Sequence, residues 1–134
     1  MSKLSVAKFG GTSVANFEAM SLCANIVTQD PNTRVVVLSA SAGVTNYLVE
    51  LANGCDKERR DEIIAAVRTI QYNIIEKLQH QSEISAQIDK LLARIEALAE
   101  SASLATSTAL ADELISHGEI MSTKIFTQLC AERN

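Results

Sequence analysis

An α/β fold, opening on two parallel strands and continuing in helices, follows from three features of this 134-residue sequence. The first is a β-branched run, Arg34–Ser39 (RVVVLS), composed like a strand buried on both faces. The second is the helical spacing of Phe17, Met20, Ala24 and Val27, which lie between that run and an earlier mixed strand, Lys3–Phe9 (KLSVAKF). The third is a pair of long stripes after residue 57, where apolar residues recur every three or four positions and no strand pattern remains.

Each element has its own warrant. The first strand ends at Gly10-Gly11, and the helix Asn16–Asp30 is closed by Pro31-Asn32. Two strands joined through a helix over about two dozen residues make a βαβ unit, whose strands must run parallel. After the second strand comes a small-residue loop, Ser39–Asn46 (SASAGVTN), and a short helix that stops at Gly54, so the unit occupies residues 1–54. Ile63, Val67, Ile70, Ile74 and Leu78 then form one stripe, and Ile84, Ile88, Leu91, Ile95, Leu98 and Ala102 form another. Gln79–Ser82 reads as the turn between them, with Ser82 as candidate N-cap, giving a helical hairpin over residues 57–103. Its stripes serve either as internal core or also as a face for another subunit.

The last helix is expected over residues 108–132, with Leu110, Leu114, Gly118, Met121, Ile125 and Leu129 on one apolar arc. A glycine in such a place costs about 1 kcal/mol against alanine, so Gly118 points to close approach of another backbone. Glu119 sits at the edge of the arc, beside Ile115 and Phe126. The sequence stops at Asn134, where a βα pattern calls for its next strand, and the sheet is therefore expected to be incomplete within these residues.

Composition narrows the function classes. Hydrophobic residues make up 47% and charged residues 21%, enough to build one core and too few charges for general disorder. A net charge of −4 disfavours a nucleic-acid partner, which calls for a basic surplus. Cys23, Cys55 and Cys130 are odd in number and form no C-x-x-C pair, as expected of reduced thiols rather than a disulfide framework or zinc site. Lys3 and Lys8 enclose too few apolar residues for a signal-peptide core, and no stretch reaches transmembrane length. A soluble cytoplasmic protein without membrane partners is expected.

Three segments carry candidate chemistry. In parallel α/β structures, ligands sit beyond the carboxyl ends of the strands. Gly10 and Gly11 leave the backbone open to a ligand, and their N–H groups, with those of Thr12 and Ser13, suit a phosphate near the next helix start. Lys8 adds a mobile positive charge. A Gly-Gly turn after a strand is also common without any ligand, and neither a Walker nor a Rossmann pattern is present. In the second loop, Ser39, Ser41, Thr45 and Asn46 fall at the same end of the sheet as Lys8. They fit a small polar ligand or, equally, a turn in which Thr45 or Asn46 caps the next helix. In the last helix, Ser116-His117-Gly118-Glu119 contains His-x-Glu, but no P-C-x-x-C follows, which excludes a zinc deaminase. His80 and His117 read as surface or packing residues. Glu119 is either a solvated charge or an acceptor for an ammonium group.

Taken together, Val6–Val14 (VAKFGGTSV), Ser39–Asn46 and Ser116–Ser122 (SHGEIMS) resemble the aspartate kinase family, and the resemblance runs over essentially the whole chain. It implies the αβα sandwich of amino-acid kinases, represented here by the βαβ unit, the hairpin and the final helix. The nucleotide-binding half and the regulatory ACT domains would lie outside these residues. The implied reaction is ATP-dependent phosphorylation of the β-carboxylate of L-aspartate, with Mg2+ accompanying ATP. The implied roles are phosphate binding and charge neutralisation for Lys8, with Gly10 and Gly11 beside it. Ser39, Thr45 and Glu119 would bind aspartate, and no metal ligand is expected in this chain. A homo-oligomer, most simply a dimer, is expected. The alternatives are another kinase of the same fold, disfavoured by the Phe-Gly-Gly-Thr-Ser-Val form, and a stand-alone helical interaction module built on the hairpin.

Overall fold

Strand, helix and strand assemble as expected in the computed structural model, which describes residues 4–133. β1 (Ser5–Phe9) and β2 (Thr33–Leu38) pair in parallel, with α1 (Phe17–Gln29) between them in sequence. Lys3, included in the expected first strand, lies outside the described residues. A 3-10 turn, Gly11–Val14, follows β1 directly. Asn16 caps α1 by accepting the Ala19 N–H at 2.8 Å, and Asp30 orders the following turn by accepting from Asn32 N and Thr33 Oγ1, each at 2.9 Å.

The register decides which side chains share a face. Val6 pairs with Val35 and Lys8 with Val37, while Ala7 pairs with Val36 and Phe9 with Leu38. α1 and α5 (Thr108–Ala131) pack against β2, and Phe9, Val36 and Leu38 join the core. The other face is open: Val6 is 66% exposed, Val35 51% and Val37 44%. The expected double cover of the second strand is thus corrected. A β-branched composition reports that a strand suits burial, but not which of its faces this chain covers.

Beyond the sheet stand α2 (Val44–Ala52), α3 (Lys57–Ile75) and α4 (Ser82–Leu104). The stripes of α3 and α4 are consumed internally, since Ile63, Val67, Ile74, Ile84, Ile88, Ile95, Leu98 and Ala102 are all buried. Leu92, rather than Leu91, occupies the centre of the second stripe, and Leu91 is half-buried. The true stripe steps 84, 88, 92, 95, with the same mean step as the expected one, so spacing alone does not choose between the adjacent Leu91 and Leu92. Between residues 57 and 104, Leu104 is the only large apolar side chain described as exposed. The hairpin therefore offers no broad apolar outer face of the kind an interaction module would use.

Ser82 is the first residue of α4 and not its cap; Gln81 precedes it and makes no side-chain capping bond. The turn is held otherwise. Gln81 Nε2 donates to the carbonyls of Glu76 and Leu78 at 2.8 and 2.9 Å, and the Glu132 carboxylate accepts the N–H groups of Gln79 and His80 at 2.8 and 3.0 Å. In α5, Leu114, Gly118, Met121, Ile125 and Leu129 are buried, as the apolar arc requires. Ser107 caps this helix by accepting from Leu110 N at 3.1 Å.

Candidate functional site

The carboxyl ends of β1 and β2 bring the first turn and the second loop side by side. Ser39 N donates to Phe9 O and Ala42 N to Gly11 O, both at 3.1 Å. Gly11 is packed so closely that a Cβ there would lie 3.0 Å from Ala40 O. A side chain at this position would press on the loop backbone, which would have to give by a few tenths of an ångström. Gly10 differs: a Cβ built on it meets nothing within 4 Å, and its φ of −79° suits any residue. Packing within the described residues gives no reason for glycine at this position. Ser13 N is spent on Gly10 O at 3.1 Å, so of the four N–H groups read as phosphate donors, Ser13 is withdrawn. Gly11 and Thr12 stand at the start of the turn, where N–H groups have no partner in their own helix.

Lys8 is exposed on the open sheet face, next to Val37 in the register. It makes no ion pair with the described residues. Ser39 is half-buried and Thr45 exposed. α2 begins at Val44, with Gly43 as its N-cap at φ +90° and no side-chain capping bond. Neither Thr45 nor Asn46 is the cap that a structural account of that loop requires, and the left-handed backbone at Gly43 takes the chain into the helix instead.

The acidic segment of α5 meets the same loop. A Cβ on Gly118 would approach Ala40 Cβ to 2.7 Å, Leu48 Cδ1 to 3.2 Å and Val44 Cγ1 to 3.3 Å. The close neighbours inferred from this glycine are side chains of the second loop and α2, not another backbone. Glu119, one residue on, is exposed and lines a cleft of about 360 Å3 with Val36, Val37, Leu38, Ser116, Ile120 and Thr123. Val37, which lines this cleft, is the register partner of Lys8. His117 is buried at 6% exposure, and its Nδ1 donates to Glu113 O at 2.7 Å, the arrangement of a packing histidine.

Elsewhere, the three cysteines are unpaired. Burial pushes the Cys23 thiol up from its ordinary value, and that thiol donates to Ser13 O at 3.4 Å. No group of three or more His, Cys, Asp or Glu side chains converges among the described residues. They offer no ligand set for the magnesium ion that the resemblance implies, and no step is assigned to it.

Ser41, grouped by the sequence with Ser39, Thr45 and Asn46 as a candidate ligand residue, is instead 1% exposed and donates to Val14 O at 2.7 Å. Composition alone offers no signal to separate an inward hydroxyl from an outward one.

Comparison with known proteins matches residues 3–134 to the amino acid kinase family. Lysine-sensitive aspartokinase 3 of Escherichia coli is 54% identical over 134 residues, 100% of this chain and 30% of that protein. A Haemophilus influenzae chain described as an inactive aspartokinase 3 is 70% identical over 64 residues, 48% of this chain and 53% of its own length. The crystal structure of E. coli aspartokinase III in complex with aspartate and ADP superposes with a TM-score of 0.95 at 53% identity, over 98% of this chain and 29% of that one. The chain therefore spans about 30% of the length of this E. coli relative.

Proposed function

The chain belongs to the amino acid kinase family, and we propose that it is the N-terminal part of an aspartate kinase, which transfers the γ-phosphoryl group of ATP to the β-carboxylate of L-aspartate. The observation that carries this is the interlock of three segments: the turn at Gly10-Gly11, the loop at Ser39–Asn46 and the helix bearing Glu119. The open space over Gly10 suits a phosphate, and a lysine on β1 and a carboxylate on α5 suit the two charged ends of a transfer between ATP and an amino acid.

In this reading Lys8 neutralises charge on the phosphoryl group in flight, with the Gly10 and Gly11 N–H groups beside it. Ser39 and Thr45 hold the aspartate, and Glu119 accepts its α-ammonium group. A carboxylate nucleophile is already ionised at neutral pH and needs no strong base. Positioning and charge neutralisation are then the main work of the site. Mg2+ would accompany ATP. The adenine pocket and regulatory domains belong to residues outside these 134.

No described helix is long and apolar enough to cross a membrane, and we place the protein in the cytoplasm as a homo-oligomer. Calorimetry on the full-length protein tests the substrate assignment. L-aspartate should bind in preference to L-glutamate, and Glu119→Gln should weaken aspartate by about tenfold or more through loss of one charge-assisted bond. Equal binding of the two amino acids would favour another kinase of the same fold.

A further inference from the structure

Three hydrogen bonds join the end of β1 and its turn to the loop after β2, and only one of them uses a side chain. Ser39 N to Phe9 O and Ala42 N to Gly11 O are main-chain bonds that most residues could make. The third runs from Ser41 Oγ to Val14 O at 2.7 Å. Val14 closes the 3-10 turn that starts at Gly11, and both Val14 and Ser41 are buried, at 0% and 1% exposure. A carbonyl at a helix end has no partner in its own helix, and at this depth solvent does not replace one. The Ser41 carbonyl in turn accepts from Val44 N at 3.0 Å, which ties the same residue to the start of α2.

Chain position gives this bond its consequence. Ser41 lies two residues after Ser39 and four before Thr45, and Val14 lies three after Gly11. One bond therefore spans the segment assigned to phosphate and the segment assigned to aspartate. We propose that Ser41 is a positioning residue for phosphoryl transfer, its buried hydroxyl fixing the separation between the phosphate-facing turn and the aspartate-facing loop. This rests on the aspartate kinase assignment. The phosphate contacts (Lys8, Gly10 and Gly11) lie on β1 and its turn, and the aspartate contacts (Ser39, Thr45 and Glu119) on the second loop, α2 and α5. Neither set spans the Ser41 bond, so each survives its loss. The spacing of the two sets then rests on the two main-chain bonds alone and loosens, and transfer depends steeply on the separation of the reacting atoms.

Steady-state kinetics and thermal melting of the full-length kinase carrying Ser41→Ala or Ser41→Cys separate positioning from mere stability. Ser41→Ala should lower kcat about 10- to 100-fold, the scale of an ångström of misplacement. KM for L-aspartate and for ATP should stay within about threefold. Ser41→Cys keeps the shape and a weaker donor, and its kcat should fall between wild type and Ser41→Ala. A Ser41→Ala enzyme with a lower Tm but wild-type kcat below that Tm overturns the inference, as does a loss confined to KM. If Ser41→Ala does not fold, Ser41→Cys decides on the same split. A wild-type protein without aspartate-dependent turnover overturns the aspartate kinase assignment and this inference together. An active wild type with unaffected Ser41 variants overturns the inference alone.

Discussion

Gly118 shows how one absent side chain sets the site. A Cβ there would stand 2.7 Å from Ala40 Cβ, so Gly118→Ala must displace either α5 or the second loop. Overpacking of this kind costs about 1–3 kcal/mol, against about 1 kcal/mol recovered in helix propensity. The expected outcome in urea unfolding is a net loss of up to about 2 kcal/mol, and in the full-length enzyme a raised KM for aspartate as Glu119 moves. Lys8→Ala should act on a different parameter. In the proposed role its charge matters most while the phosphoryl group is in transfer, so kcat should fall by about 100-fold or more with aspartate KM little changed. Normal kcat with a raised KM would make Lys8 a substrate-positioning residue. The sequence places Lys8, Gly10 and Gly11 at the end of the first strand, and the structure has them there; the lysine and paired glycines alone are a common strand ending, and their ligand role comes from the resemblance. The inward side chain of Ser41 was not legible, because a loop lacks the period that tells an inward residue from an outward one.

At the scale of elements, the α3–α4 turn is fastened by the far end of the chain. Burial tends to raise the Glu132 carboxyl, but hydrogen bonds from Gln128 and from the N–H groups of Gln79 and His80 outweigh it and hold it below its ordinary value of 4.5. A carboxyl lowered on folding contributes stability that is present above its unfolded pKa and is lost as pH falls through the folded one. Glu132→Gln should therefore be less stable than wild type at pH 7, by about 1 kcal/mol. The difference should shrink as pH drops below the 4.5 reference. Urea midpoints from about pH 3 to about pH 7, a span that crosses the titration of ordinary carboxylates, check this; a difference independent of pH would show that charge is not what Glu132 supplies. Helix stripes were readable because periodicity is a local property. The start of α4 was misread because its fastening carboxylate lies 53 residues from Gln79, beyond any local capping rule. Gly43 was similarly missed as the cap of α2, since Thr45 and Asn46 carry the conventional capping side chains and Gly43 only a φ of +90°.

At the scale of the whole molecule, the sheet has, among the described residues, two strands, an open face bearing Val6, Val35 and Val37, and an unpaired edge on each strand. Open edges and apolar faces favour association, so the 134-residue chain by itself should self-associate. The stripes of α3 and α4 contribute nothing to this, being buried. Sedimentation equilibrium at micromolar concentration should show a mass above the monomer. A single monomeric species that still melts cooperatively would show that five helices complete the core unaided. The chain alone should also release no ADP in response to L-aspartate, because it holds only one side of the proposed site. That this segment is the phosphate- and aspartate-facing wall of an aspartate kinase is tested most directly in a chimera. The matching 30% of E. coli lysine-sensitive aspartokinase 3 would be replaced by this chain, and ADP release measured with and without L-aspartate. The prediction is aspartate-dependent turnover within about tenfold of the parent, cut by a further 100-fold or so by Lys8→Ala. A folded chimera that binds ATP yet releases no ADP with L-aspartate would contradict it.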